Sequence, residues 1–75
     1  MAMNIGIRLR EARMKRGYKQ PQVADEVGQQ LRNYQAYEQG VRRPKYETLA
    51  KLATMLDVST DWLLGLTDED PFDER

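Results

Sequence analysis

Residues 27–40 read VGQQLRNYQAYEQG, a stretch in which two tyrosines and a single leucine sit between Gly28 and Gly40. A core helix is usually greasier than this, and a loop carries less pattern. If residues 30–39 are helical, Tyr34 and Tyr37 stand on one face, and Arg32, Asn33, Gln35, Ala36 and Gln39 look mostly the other way. One face suits packing and the other is polar. An arginine, an asparagine and glutamines around a small alanine suit base edges in a DNA major groove, where Arg pairs with guanine and Asn or Gln with adenine. A polar stripe taken alone is more often an ordinary solvated surface, so its surroundings decide the reading.

Those surroundings are helical in pattern. In NIGIRLREARMKR, from Asn4 to Arg16, residues Ile5, Leu9, Ala12 and Arg16 mark one side, with Asn4 as N-cap and Gly17 as stop. In QPQVADEVG, Val23, Ala24 and Val27 recur at helical spacing, Pro21 falls in the first turn and Gly28 ends the element. After residue 40, Pro44 closes a basic loop, GVRRPK, and Leu49, Leu52, Ala53 and Leu56 form a stripe through YETLAKLATMLD. Ser59 suits the cap of a last short helix in STDWLLG, where Trp62, Leu63, Leu64 and Leu66 are too apolar for a free surface helix. The ending, TDEDPFDER, loses periodicity, gains acid and reads as a frayed tail. No alternating strand pattern and no repeat occurs, so the expected fold is all-α.

Composition removes most catalytic readings. Seventy-five residues make one domain with a small core, and the sequence contains neither cysteine nor histidine. Disulfides, thiolate metal sites, the commonest zinc ligands and the commonest general base are therefore absent. No metal, cofactor or catalytic residue is expected; Asp68, Glu69 and Asp70 are neighbouring carboxylates that nothing holds at a reactive spacing. No run approaches the roughly 20 apolar residues of a membrane span, and nothing resembles a signal peptide, so the expected location is the cytoplasm. The net charge of zero hides a division: residues 1–51 hold eleven Lys or Arg against five Asp or Glu, and residues 52–75 hold one against seven. A basic front with an acidic tail fits a protein that meets phosphate, although such charges also merely solvate helices.

The series Gln20, Ala24, Gly28, Tyr34, Tyr37, Glu38, Gly40 and Pro44 resembles the phage-repressor and Cro type, or XRE-like, helix-turn-helix family. LREARMKRG is similar to that family's first helix and ETLAKLATMLDVSTDWLLG to its fourth and fifth, so the resemblance spans nearly the whole chain. It implies a compact, lambda-repressor-like bundle of five helices over residues 1–67, followed by an acidic, flexible tail over residues 68–75. The implied function is a sequence-specific transcriptional regulator of bacterial or phage origin, a repressor that binds double-stranded DNA as a homodimer on a palindromic operator.

The resemblance also assigns residues. Gln20 approaches the phosphate backbone and braces the recognition helix, Ala24 lets two helices approach, Gly28 forms the turn, and Tyr34 and Tyr37 are buried. Arg13 and Glu38 match a structural ion pair between the first and third helices. Base reading falls to Leu31, Arg32, Asn33 and Ala36, with Gln30 and Gln35 beside them and Arg32 foremost. Arg42, Arg43 and Lys45 lie along phosphates. One motif buries too little DNA for high specificity, hence the expected dimer; Met55, Trp62 and Leu66 are candidates for its surface, while Trp62 serves equally to close the core. Gln29 and Gln30 stand where the family has an aliphatic residue and a cap, and Lys19 where it has Thr or Ser, which weakens an anchor and two caps. The alternative is a protein-interaction module, antitoxin-like or a regulator-binding adaptor, with a protein partner.

Overall fold

Each of the five helices is followed within two residues by a residue in left-handed backbone, and those stops set the architecture. The computed structural model describes residues 5–72, which form α1 (Ile5–Arg16), α2 (Gln20–Glu26), α3 (Leu31–Gln39), α4 (Tyr46–Leu56) and α5 (Thr60–Leu63), with no strand among them. The expected cap Asn4 lies outside the described residues. After α2, Gly28 adopts φ 71° and the chain folds back, with the Gln29 N–H donating to the Ala24 carbonyl at 2.9 Å and the Gly28 N–H to Asp25 at 3.1 Å. That turn separates α2 and α3 by the few residues a helix-turn-helix needs, and any side chain at position 28 strains it. Asp57 ends α4 in the same left-handed region at φ 55° without being glycine. Arg16 of α1 meets that strained end, donating to the carbonyls of Leu56 and Asp57 at 2.8 Å each, where a cation also complements the helix dipole.

The core forms where the five helices meet: Leu9 and Ala12 from α1, Val23 and Ala24 with Val27 from α2 and its end, Tyr34 and Tyr37 from α3, Leu52, Ala53 and Leu56 from α4, and Trp62 and Leu63 from α5. Both tyrosines of the opening stretch are buried, edge to face at 6.4 Å between ring centres, an arrangement their ring quadrupoles favour. At Gly6, α1 comes so close to α3 that a Cβ would land on the carbonyl oxygens of Tyr37 and Glu38. Glycine is a poor helix former; here, in the first turn of α1, it admits the close approach of the bundle's first and third helices.

One buried carboxylate ties three helices together. Glu38, its side chain 4 % exposed, pairs with Arg13 of α1 at 2.7 Å, accepts from Gln20 of α2 at 3.0 Å and accepts a hydrogen bond from the Tyr34 hydroxyl. Arg13 also donates to the Tyr18 carbonyl at 3.0 Å. Burial pushes the Glu38 carboxyl upward, but the hydrogen bonds from Arg13, Tyr34 and Gln20 outweigh it and hold the group below its ordinary range. Burial followed by the bond to Glu38 raises Tyr34, and the bond to Glu38 raises Arg13 against an opposing effect of burial.

Two residues of the expected tail, Asp68 and Phe72, touch the bundle. Arg8 of α1 donates to the Trp62 carbonyl, to the Thr67 carbonyl at 2.7 Å and to Asp68 at 2.6 Å, and lies 4.9 Å from the centre of the Trp62 ring. Phe72 packs edge to face on Trp62 at 5.4 Å, and Arg16 lies 4.9 Å over Phe72. Phe72 is therefore held by an edge-to-face and a cation–π contact and Asp68 by Arg8, while Glu69 and Asp70 stay exposed; residues 73–75 lie outside the described part. Of the candidate dimer-surface residues, Trp62 is 4 % exposed and takes the other of its two expected roles, in the core. Met55 is half-buried against the core, and Leu66 stands 66 % exposed.

Gly6→Ala should lower the melting temperature, since overpacking costs roughly 1–3 kcal/mol and exceeds the gain in helix propensity; a variant melting at or above the parent would refute the close approach. Glu38→Ala should cost on the order of 3–5 kcal/mol by stranding Arg13. Because the folded state holds the Glu38 proton more weakly than the unfolded chain, its stabilisation is complete above the ordinary value of 4.5 and is lost as pH falls through the lower folded value. The parent should thus lose melting temperature on acidification more steeply than Glu38→Gln. Phe72→Ala should shift the emission of Trp62, the single tryptophan, to the red; unchanged emission would mean that Phe72 does not cover it.

Candidate nucleic-acid interface

With Tyr34, Tyr37 and Glu38 turned inward, α3 presents its other side. Gln30, Leu31 and Arg32 are exposed at its start, and Asn33, Gln35 and Ala36 are half-buried along it. Beyond the helix, the loop places Arg42, Arg43 and Lys45 at the surface. Between residues 29 and 46 the single carboxylate is Glu38, which faces Arg13 in the interior. Four surface cations, Arg32, Arg42, Arg43 and Lys45, are left without a compensating acid in that stretch, which makes a positive strip beside a polar helix face. Arg8, Arg13 and Arg16 belong to the same basic half of the sequence, yet they hold helix ends and the buried pair, so the charge division overstated the number of cations that meet solvent.

Two chains of hydrogen bonds run from the interior to this face. In the first, Gln20 donates to Glu38 and accepts from the Gln35 amide at 3.3 Å. A carboxylate only accepts, so the Gln20 amide has one orientation, and Gln35 keeps its own oxygen for an outside donor. Gln20 thus braces α3 as its place in the motif implied. In the second, Gln29 donates to the buried Thr48 hydroxyl at 3.3 Å and accepts from Tyr37 at 3.4 Å and from Asn33 at 3.5 Å, and Arg42 donates to Asn33 at 2.7 Å. Gln29 therefore replaces the missing aliphatic anchor with a polar one to α4.

The weakened caps are present as expected. Neither Gln30 nor Lys19 caps its helix with a side chain; Gln30 instead accepts from Arg32 at 3.1 Å. At Lys19, half of a capping box survives, with the Gln22 side chain accepting from the Lys19 N–H at 3.3 Å. Two residues at this face were missed by sequence reasoning. Thr48 gave no signal because its partner comes from another helix. Tyr46, 79 % exposed beside Lys45, was legible as an aromatic residue next to the basic loop.

Other chemistry finds little support. No group of three or more acidic residues among those described is placed to hold a metal ion, and no described helix is long and apolar enough to cross a membrane. An open groove between α2 and α4, lined by Tyr18, Gln22, Asp25, Glu26, Lys51 and Met55 among others, includes no residue of α3, and its two carboxylates oppose phosphate.

Known proteins match this arrangement. The helix-turn-helix domain family matches residues 6–69. The HTH-type transcriptional regulator ImmR of Bacillus subtilis is 44 % identical over 63 residues, which are 84 % of this chain and 50 % of ImmR. The cryptic phage CTXphi transcriptional repressor RstR of Vibrio cholerae is 42 % identical over 69 residues, 89 % of this chain and 62 % of RstR. The chain spans about half the length of the first of these relatives. Among solved structures, the biofilm master regulator SinR of Bacillus subtilis in complex with DNA superposes with a TM-score of 0.74 at 30 % identity, covering 80 % of this chain and 97 % of that one. The fold, the turn at Gly28 and these relatives agree: the chain belongs to the XRE-type family of helix-turn-helix regulators.

Proposed function

We propose that this chain reads double-stranded DNA in a sequence-specific manner and represses transcription in the cytoplasm, two copies sharing a palindromic operator. The observation that carries the reading is the positive strip of Arg32, Arg42, Arg43 and Lys45 beside the polar side of α3, bordered by the exposed Glu47 and with the carboxylate of α3 itself buried. Cations so placed attract phosphate and release counterions, while side chains of α3 enter the major groove. Arg32 at the exposed start of the helix can grip guanine through two N–H groups, Leu31 can touch a thymine methyl, and Gln35 offers an acceptor. Arg43 and Lys45 bind phosphates with Gln20 at the other flank. A single α3 spans one half-site, so a second copy supplies the other, about 34–36 Å away. ImmR, RstR and the DNA-bound SinR support the same function by kinship.

Selection of bound duplexes from a random pool tests this directly. The parent should enrich a palindromic motif, and Arg32→Ala should lose the preference at one base pair of each half-site, a discrimination of about 1–3 kcal/mol. Arg43→Ala should keep the motif while reducing the slope of log affinity against log salt by about one unit. A pool that never enriches, together with salt-insensitive capture of a protein, would replace this reading with the protein-interaction module.

A further inference from the structure

Within the polar side of α3, Asn33 does not have its amide at liberty. Its oxygen accepts from Arg42 Nη1 at 2.7 Å and its nitrogen faces Gln29 Oε1 at 3.5 Å. An arginine only donates, which fixes the direction of the Asn33 amide and, through it, that of Gln29 toward Thr48. Asparagine recognises adenine by using both ends of its amide together. Here both ends are turned to the protein.

Arg42 is correspondingly constrained. Its N–H and that of Val41 both donate to the Ala36 carbonyl, at 3.3 and 3.0 Å, so the chain folds back over the last turn of α3. The guanidinium then reaches Asn33, which stands three residues before Ala36 on the same side of the helix. A loop cation that would otherwise sweep along the backbone is drawn onto the reading side. One N–H bond holds it, and the donors left on the guanidinium suffice for guanine O6 and N7. The anchor is neutral, so it directs the cation without cancelling its charge, as a carboxylate would.

We propose that Asn33 is a positioning residue which holds Arg42 along the reading side of α3, and that Arg42 reads a base instead of a phosphate. The inference rests on the DNA-reading function above and moves one residue from affinity to specificity.

The test is selection from a random duplex pool at one salt concentration by the parent, Asn33→Ala, Arg42→Ala and the double variant, with thermal melting of each. The expected result is a guanine preference that falls about ten-fold in Arg42→Ala, by the same factor in Asn33→Ala and no further in the double variant, with melting unchanged. Asn33→Asp keeps the acceptor and should retain that preference while weakening all duplexes alike. If Arg42→Ala weakens all duplexes alike and leaves the motif intact, Arg42 is a phosphate ligand and the proposal is wrong. It is equally overturned if the two single losses multiply in the double variant, since Asn33 then reads a base by itself. A parent that enriches no motif removes the DNA-reading function itself, and this inference with it.

Discussion

The Glu38 carboxylate is the point on which the position of α3 depends. It receives donors from α1, α2 and its own helix, and an acceptor-only group in a buried place cannot turn away from them without leaving a charge stranded. The backbone of the same residue receives Gly6, seven positions before Arg13 and on the same side of α1. Two contacts separated by two turns of α1 thus fix both the approach of α3 and its rotation. Well-packed apolar side chains in such a place commonly give equal stability, because desolvating a pair offsets much of its attraction. They would not set the rotation of α3 so narrowly, and rotation decides which side chains face a groove.

The departures from the family pattern acquire a physical account from the same logic. Gln29 in an aliphatic position bridges α3 and α4 through Thr48 and Tyr37. Amides have two unlike ends, and each chain of them here starts from a group that can only accept or only donate: Glu38 in one case, Arg42 in the other. The end group determines every orientation that follows. Surface amides on α3 are therefore presented in chosen directions, and part of the proposed reading side is organised in the free protein.

Much of the frame was legible in the residues. The stops at Gly28 and Gly40, the cap at Ser59 and the inward spacing of Tyr34 and Tyr37 follow from local rules, and the structure carries each of them. What was not legible depends on partners far along the chain. Gly6 looks like a helix weakness until α3 lies against it. Phe72 sits among acids and reads as tail, because the cations and the ring that hold it come from α1 and α5. Trp62 carried two readings of equal weight, and its burial, which depends on residues of α1 and on Phe72, favours closing the core. On the outer side of α3, residue types indicated a polar face, but the direction of each amide depends on tertiary neighbours.

The central claim is that the outer side of α3 and the loop after it meet DNA, held there by the buried network. Amide chemical-shift mapping of the chain titrated with a mixed-sequence duplex at low ionic strength tests it most directly. The account predicts perturbations at the start of α2, along residues 30–36 and through residues 41–46, with α5 and the Trp62–Phe72 contact undisturbed. Perturbations gathered instead along the α2–α4 groove, or none at any duplex concentration, would contradict it.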